Sequence, residues 1–302
     1  NSASNVWKLS AQGSGAWSSG GAMVDPKYDG AGAGTQTAGI IACGSRDYPA
    51  PPDGPISDSA STYNGSSWTA VNSANLARYG PGGAGSTTAA LVFGGFDTSP
   101  KNQTESWDGT NWTEVSELNT ARQYLPNNGI QTAALCVGGA PAASNGRLNE
   151  SWNGSVWTEI TETTTGRYGM GGAGVQTDAL VFGGQTQPNA PQVLTEKWDG
   201  STWTEVGDLN YGRGAISGCG TTSAALAYGG AGPVVNVPTT KTESWNGSVW
   251  TSVANMANSA YGRSNIGTST AALAGGGDPV SPTTVTEEWN DPTYAIKTVT
   301  TS

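Results

Sequence analysis

The sequence predicts an all-β protein, a β-propeller of six four-stranded blades. The first reason is composition, because 45 glycines, 12 tryptophans and 12 % charged residues do not supply the Leu, Ala, Glu and Lys periodicity of helices. The second is a unit that recurs at steps of 44 to 47 residues. Apolar runs such as 89–93 indicate a packed core rather than a disordered, glycine-rich chain. We expect residues 1–302 to form one domain.

Each unit is predicted to form four short strands. A glycine-rich segment leads into an apolar run, and after a variable loop a Glu-x-aromatic segment and a segment that begins with Trp follow. The first aromatic residues of the pairs are Tyr63, Trp107, Trp152, Trp198, Trp245 and Trp289. The apolar runs are expected to end in Gly-Gly or Gly-Ser pairs at Gly44-Ser45, Gly94-Gly95, Gly138-Gly139, Gly183-Gly184, Gly229-Gly230 and Gly275-Gly276. Six such units are typical of a propeller.

Tight hairpins are predicted between the two aromatic residues of a pair. Asn-Gly and Asp-Gly tolerate positive φ at both central positions of a type I′ turn. They occur at Asn64-Gly65, Asp108-Gly109, Asn153-Gly154, Asp199-Gly200 and Asn246-Gly247. Because an aromatic side chain buries about 150–250 Å², the flanking rings should cover each hairpin and pack between neighbouring sheets.

The N-terminal segment leaves the number of blades open. Trp17 occupies the position of a second aromatic residue, because Lys27 and the segment 32–34 follow at the usual offsets. Seven outer hairpins would then accompany six Gly-Gly strands. The favoured interpretation is six blades, with the N-terminal segment closing the ring against the last blade, where the hairpin after Trp289 is atypical. The alternative is seven blades, one of them without inner strands.

The repeat resembles the kelch family. The shared order is an apolar run, Gly-Gly, a variable loop, an aromatic residue, a turn, Trp, and a basic residue ten positions later. The sequence departs from the family in having mostly Trp-Asn/Asp-Gly where kelch repeats have Tyr-Asp-Pro. The resemblance implies a propeller in which each arginine joins its blade to the next by bonding loop carbonyls.

A candidate binding surface lies on one face of the predicted ring. Alternating strand direction places the loops after each Gly pair on the same face as the inter-blade connections, and variable loops on a regular scaffold are typical binding surfaces. The longest of these loops contains Arg46, Asp47 and Tyr48. Each connection pairs a basic residue with a nearby tyrosine, at Lys27-Tyr28, Arg78-Tyr79, Arg122/Tyr124, Arg167-Tyr168, Tyr211/Arg213 and Tyr261/Arg263.

Two interpretations of this basic and tyrosine ring compete. In the first, cations and phenols at the channel mouth bind an anionic or sugar-like ligand through hydrogen bonds and stacking. In the second, the arginines join neighbouring blades, and recurrence in every blade favours this structural role. A repeated glutamate, at Glu105, Glu150, Glu196, Glu243 and Glu287, is likewise expected to be an edge charge or an inter-blade ion pair.

Composition excludes several classes of function. The net charge of −10 disfavours nucleic acid and membrane surfaces as partners. Without a histidine, neither the copper site of galactose oxidase-like kelch enzymes nor a Ser-His-Asp triad can form. Cys43, Cys136 and Cys219 are expected to be buried apolar residues rather than disulfide or metal ligands. We therefore predict a protein that is not an enzyme and needs no cofactor.

One enzymatic alternative stays open. Segment 106–112 resembles the Asp-box of six-bladed sialidases but is one residue short. Those enzymes also need an arginine cluster, whereas only Arg46 and Arg147 lie outside the repeat pattern. A sialidase-like carbohydrate-active enzyme is thus an alternative, and an intracellular kelch adaptor for protein partners is another.

The favoured function is a binding, adhesion or decoration module. The combination Trp-Asn-Gly-Ser-x-Trp-Thr with Gly-Ala-Gly-x-Gln-Thr resembles repeats in virion-associated proteins of bacteriophages, marine ones especially. The resemblance implies an extracellular or virion-surface location. The expected partners are a surface glycan or another virion or surface protein, with neither nucleic acid binding nor membrane insertion, and with assembly into a larger complex open.

Overall fold

A computed structural model describes residues 15–46, 55–141, 146–233, 237–278 and 281–291. Within these ranges the regular structure is β, and no helix is long and apolar enough to cross a bilayer. The strands form six four-stranded antiparallel sheets and one small two-stranded sheet. The all-β, six-bladed propeller predicted from the sequence is confirmed.

The blades are numbered from the N-terminal end of the chain. Blade 1 contains β2 (Ala31–Thr35), β3 (Ala38–Ser45), β4 (Ile56–Tyr63) and β5 (Trp68–Val71). Blade 2 contains β6 (Gly82–Ser86), β7 (Ala89–Phe93), β8 (Thr104–Trp107) and β9 (Trp112–Val115). Blade 3 contains β10 (Gly129–Ile130), β11 (Ala133–Val137), β12 (Asn149–Trp152) and β13 (Trp157–Ile160).

The next two blades repeat this order. Blade 4 contains β14 (Gly171–Val175), β15 (Asp178–Phe182), β18 (Thr195–Trp198) and β19 (Trp203–Glu205). The short strands β16 (Gln185–Thr186) and β17 (Ala190–Pro191) pair with each other in its loop. Blade 5 contains β20 (Ser217–Gly220), β21 (Ala225–Tyr228), β22 (Thr242–Trp245) and β23 (Trp250–Ser252).

The sixth blade joins the two ends of the chain. Its inner strands are β24 (Ser264–Gly267), β25 (Ala271–Gly275) and β26 (Thr286–Asn290), and its outer strand is the N-terminal β1 (Ala16–Ser19). Trp17 lies opposite Trp289, in the register that pairs Trp107 with Trp112 in blade 2. The predicted ring closure by the N-terminal segment is therefore confirmed, and the seven-blade alternative is wrong.

Two of the predicted Gly pairs are displaced by one residue. In blade 2 the pair Gly94-Gly95 has φ values of 65° and 104°. The equivalent angles in blade 1, 64° and 113°, belong to Cys43 and Gly44, and in blade 6 Gly276 and Gly277 take this place. The assignments Gly44-Ser45 and Gly275-Gly276 are therefore wrong. Cys43 takes a left-handed conformation that usually needs glycine, which concealed the true register.

The core lies between blades as well as within them. In blades 3, 5 and 6 the second tryptophan packs on an aromatic residue of the preceding blade, with ring centroids 4.9 Å apart for Phe93 and Trp157, 4.8 Å for Phe182 and Trp250, and 4.9 Å for Tyr228 and Trp17. The indole Nε1 of Trp157 also donates a hydrogen bond of 3.0 Å to Thr104 Oγ1. Each outer hairpin thus packs against its neighbour, as the sequence predicts.

The ring has two different faces. The turn face carries the tight turns, such as the one between β4 and β5. The loop face carries the loops after the Gly pairs and the inter-blade connections, because the four strands of each blade alternate in direction. The candidate residues of the inter-blade connections therefore lie on or just beneath the loop face.

Candidate functional site

The five arginines of the repeated basic and tyrosine ring are buried inside the blades. Each pairs with the repeated glutamate of the blade that follows it, and no arginine side chain of this set is more than 1 % exposed. The N–O distances are 2.9 Å for Arg78–Glu105, 2.8 Å for Arg122–Glu150, 2.5 Å for Arg167–Glu196, 2.9 Å for Arg213–Glu243 and 3.2 Å for Arg263–Glu287. We call these pairs the arginine–glutamate layer.

Backbone groups complete the layer. Arg167 Nη1 donates to the carbonyl oxygens of Gly183, at 2.7 Å, and Leu194, at 2.8 Å. Glu196 accepts a hydrogen bond of 2.7 Å from the backbone N–H of Thr164, in the connection that enters blade 4. The same arrangement surrounds Glu150 and Glu243. The layer thus joins each connection to the blade it enters, which is the structural role that the kelch resemblance implied for the arginines.

Blade 1 lacks the arginine–glutamate pair at the equivalent position. Lys27 replaces the arginine, and Ser61 stands where the other blades have glutamate. Lys27 is fully buried, and its Nζ donates to Ser59 O at 3.0 Å and to Ser59 Oγ at 2.8 Å. Burial lowers the pKa of Lys27 to about 8. Its ammonium group is therefore less strongly compensated than the guanidinium groups of the other blades.

The tyrosines of the same ring surround the mouth of the central channel. Tyr28, Tyr124, Tyr168 and Tyr261 line a cavity of about 280 Å³ that also includes Asp29. The ring centroids of Tyr124 and Tyr168 are 6.0 Å apart, and those of Tyr28 and Tyr261 are 6.4 Å apart. Gln185 and Asn189 of the blade 4 loop complete one side of this cavity, the mouth pocket. The Tyr168 hydroxyl hydrogen-bonds to Asn189 Oδ1.

Asp29 occupies a position where the backbone of every blade turns toward the channel axis. Its φ of 52° is matched by positive φ at Gly80, Tyr124, Gly169, Ala215 and Gly262. These connections are bonded to one another around the channel, as in the 2.7 Å bond from Asp29 N to Gly262 O and the 2.8 Å bond from Gly80 N to Asp29 O. The sixfold backbone ring therefore holds one carboxyl group, that of Asp29, at the pocket.

A second carboxyl group stands close to the pocket. Asp278 is fully buried, and its Oδ2 accepts a hydrogen bond of 2.9 Å from the Tyr261 hydroxyl. Its Oδ1 has no hydrogen-bond partner among the described residues. Burial and then the neighbouring Asp278 charge raise the pKa of Asp29 to about 7, and burial also raises that of Asp278. Both shifts follow from carboxyl groups that lack a cationic partner.

Two asparagines span the channel beneath the mouth. Asn127 Nδ2 donates to Asn265 Oδ1 at 3.0 Å, which links the blade 3 side of the ring to blade 6, on the opposite side. Gly83 N donates to Asn127 Oδ1 at 2.7 Å, and Asn265 Nδ2 bonds to Gly218 O. A separate, glycine-lined cavity of about 100 Å³ lies on the turn-face side. The mouth is thus backed by fixed side chains.

Every basic side chain of the described ranges is engaged outside the mouth pocket. Five form the arginine–glutamate layer, and Lys27 bonds to Ser59. The surface ion pairs are Arg46–Asp25, Lys101–Asp97, Arg147–Glu162 and Lys197–Asp178. Lys241 Nζ lies 4.9 Å from the centroid of the Tyr211 ring. The pocket wall is consequently phenolic and acidic.

The candidate residues from the sequence are thus divided by the structure. Tyr28, Tyr124, Tyr168 and Tyr261 meet at the pocket, with Tyr79 packed behind Tyr124 at a centroid distance of 5.7 Å. Tyr211 does not line it. Arg46 lies at the surface with Asp25, whereas Asp47 and Tyr48 lie outside the described residues. A role of Arg46, Asp47 and Tyr48 in binding stays a prediction.

Sequence reasoning missed Asp29, Gln185, Asn189 and Asp278. Only Asp29 could have been recognised from the sequence. It occupies a position that is glycine in three of the six connections, at Gly80, Gly169 and Gly262. Departure from a repeat marks a residue that the scaffold does not require. Gln185 and Asp278 directly follow the Gly pairs of their blades, at a position that also holds Phe96, Ala140 and Ala231 and has no repeated residue type from which to depart, whereas Asn189 lies in a variable loop.

The fold and the pocket together define a class, a β-propeller with a small-molecule-sized pocket at its channel mouth. No protein-family model and no curated protein sequence matches the chain. Among solved structures 334 chains match it. One is the structure of YjhT, with a TM-score of 0.72 and 13 % sequence identity over 88 % of this chain and 95 % of that chain. At this identity the similarity shows a shared fold and nothing finer.

Proposed function

We propose that this protein is a non-enzymatic, kelch-type binding module that holds a carbohydrate in the mouth pocket of its loop face. The observation that supports the proposal best is the pocket itself, where four tyrosines and a carboxyl group converge on a cavity of about 280 Å³. This volume is near the lower end of the range for ligand pockets, about 300–1,000 Å³. A single sugar ring is a suitable occupant.

The chemistry of the wall suits a sugar. Tyrosine rings offer flat apolar surfaces that suit the C–H face of a pyranose. The hydroxyls of Tyr168 and Tyr261 are already hydrogen-bonded to Asn189 and Asp278, which holds these two rings in place. Asp29, Gln185 and Asn189 supply acceptors and donors from two different loops. Such a mixture of aromatic faces with a few convergent polar groups is characteristic of specific small-molecule sites.

The same proposal places the module on an external surface, as an adhesion or decoration component of a virion or a comparable assembly. Two features support it. The buried arginine–glutamate layer joins five of the six connections to the following blade, and the ring is closed by a strand from the other end of the chain. Composition points the same way, since low charge and abundant Thr, Ser, Asn and Gly suit an exposed repeat protein.

A sialidase-like hydrolase is the less favoured alternative. Binding of a sialic acid carboxylate would require unpaired guanidinium groups at the channel mouth. The five repeated arginines are instead buried with glutamates, and Arg46 and Arg147 pair with Asp25 and Glu162 at the surface. In the part of the chain that the structure describes, no arginine cluster faces the pocket.

The proposal is tested with a glycan array probed with the folded wild-type chain and two variants. Tyr168→Ala removes part of the pocket wall, whereas Tyr211→Ala is the matched control, a tyrosine of the same repeated ring that lies outside the pocket. We expect selective binding that falls at least tenfold in Tyr168→Ala and is unchanged in Tyr211→Ala. Equal loss in both variants, or no glycan bound by the folded wild type, would refute a sugar site at the mouth.

A further inference from the structure

The ionisable groups around the mouth pocket are acidic. Asp29 lines the pocket, and Asp278 lies behind Tyr261 with one carboxylate oxygen unpartnered. Facing Asp29 are Asp278 and the phenols of Tyr28, Tyr79, Tyr124 and Tyr261, whose pKa values are all raised by burial. These tyrosines stay neutral at physiological pH. The carboxyl groups therefore supply the only ionisable negative charge there, among the described residues.

No basic side chain of the described ranges lines the mouth pocket. Arg263 lines the narrow cavity beneath the backbone ring, as Asp29 also does; there it donates to Glu287 at 3.2 Å and to Asn258 O at 3.0 Å, and its Nη1 has no hydrogen-bond partner among the described residues. The other basic side chains have the partners given above.

The aromatic rings of the pocket also favour a positively charged ligand. The π face of a tyrosine is electronegative and attracts a cation within about 6 Å of the ring centroid. Tyr124 and Tyr168 stand side by side at the pocket, and Tyr28 and Tyr261 form the opposite pair. A positively charged group in the pocket would lie among these rings and near the Asp29 carboxylate.

From these features we infer that the mouth pocket selects sugars that carry a free, positively charged amino group over their N-acetylated and acidic counterparts. The inference rests on the proposed carbohydrate function and names its ligand class. The ammonium group would be held by Asp29 and the tyrosine faces, and the sugar hydroxyls by Gln185 and Asn189. An N-acetyl group removes the charge, and a carboxylate would meet Asp29 without a cation to accept it.

The test compares two oligosaccharides that differ only in acetylation, the tetramers of glucosamine and of N-acetylglucosamine, by isothermal titration calorimetry. We expect the glucosamine tetramer to bind at least tenfold more tightly. Asp29→Asn should remove most of this preference, and asparagine tolerates the positive φ of 52° at this position. Asp97→Asn is the control, because Asp97 is a loop-face carboxylate paired with Lys101 outside the pocket.

Tetramethylammonium chloride separates the inference from the proposed function, since its charge does not depend on pH. Its affinity should rise between pH 5 and pH 8, as Asp29 ionises, and Asp29→Asn should abolish the rise. Equal affinity for the two tetramers overturns the amino-sugar inference and leaves the carbohydrate function standing. Binding of tetramethylammonium without either tetramer overturns the carbohydrate function but supports a cation pocket. Absence of binding by all three probes overturns both.

Discussion

The arginine and the tyrosine of an inter-blade connection are neighbours in sequence but belong to two different regions of the molecule. Arg167 is buried with Glu196 in the arginine–glutamate layer, whereas Tyr168 lines the mouth pocket. The layer recurs in five blades with nearly the same contacts. The mouth is irregular, because one connection supplies Asp29 and another supplies Tyr124 at the same backbone position. The repeated arginines build the scaffold here, whereas the pocket combines repeated tyrosines, such as Tyr28, Tyr168 and Tyr261, with a departure from the repeat, Asp29.

The comparison also shows how differently the two regions treat charge. In the layer each buried guanidinium has a carboxylate and carbonyl oxygens as partners. At the mouth two carboxyl groups stand near each other without a cation. A compensated buried charge serves stability and specificity, while an uncompensated one is available for a ligand. Three predictions test this contrast, in order of decreasing effect.

The largest effect is expected from breaking the layer. Arg167→Ala leaves Glu196 buried without its cation, which typically costs about 3–5 kcal/mol of unfolding free energy. Urea denaturation measures the loss. The double variant Arg167→Met/Glu196→Leu should lose clearly less, since no charge remains buried. A loss below about 1 kcal/mol in Arg167→Ala would contradict a structural role for the layer.

A smaller effect is expected at Lys27, where blade 1 departs from the layer. Because its pKa falls from about 10.4 in the unfolded chain to about 8 in the fold, the folded state loses its proton first, and stability should rise with pH over this range. Lys27→Met lacks this contribution. The wild type should therefore gain about 2–3 kcal/mol relative to Lys27→Met between pH 7 and pH 10, measured by urea denaturation.

A matched control uses a lysine in a surface ion pair. Lys197 lies 3.6 Å from Asp178 with its side chain 42 % exposed, so Lys197→Met should leave the pH dependence unchanged. The buried cysteines and tyrosines also contribute to the pH dependence, because burial raises their pKa values in the fold while the unfolded chain ionises them at about pH 8.5 and about pH 10. This contribution is the same in all three proteins. A parallel pH dependence of wild type and Lys27→Met would show that Lys27 is well compensated after all.

The smallest effect is expected at Asp29. Its raised pKa means that the folded state holds a proton that the unfolded chain releases, so stability should fall as pH rises from about 4 to about 7. Asp29→Asn lacks this loss. Thermal unfolding should show the variant gaining about 1 kcal/mol relative to wild type between pH 5 and pH 8, a value reduced because the side chain is partly exposed.

Asp97→Asn serves as the comparison for this titration. Burial by itself would raise the pKa of Asp97, but the hydrogen bonds from Lys101, Thr98 and Ser99 together outweigh it and hold the pKa at about 2. Its carboxyl group is ionised in both states above pH 5. No change in relative stability is expected between pH 5 and pH 8 for this variant. If Asp29→Asn behaved the same way, the mouth carboxylate would be an ordinary solvated one.

Much of the fold could be predicted because the repeat determines it. The aromatic pairs gave the register of each outer hairpin, and Trp17 indicated the closing strand before any contact was known. The Gly pairs of blades 1 and 6 were misplaced, since Cys43 occupies a left-handed position and three consecutive glycines, 275–277, leave the register ambiguous. A pattern of residue types cannot distinguish these registers, whereas backbone angles can.

The sequence by itself determined the six repeats, the hairpins between the aromatic pairs, the closure of the ring and the absence of histidine chemistry, because each depends on local spacing or composition. Only the tertiary structure decided which member of each basic and tyrosine pair is buried inside the blade and which lies toward the channel mouth. That choice depends on where Glu196 and its equivalents lie in the next blade and on the positive φ that turns each connection toward the axis. Ring closure brings Asp29 and Asp278 together from opposite ends of the chain, and no local pattern encodes that meeting.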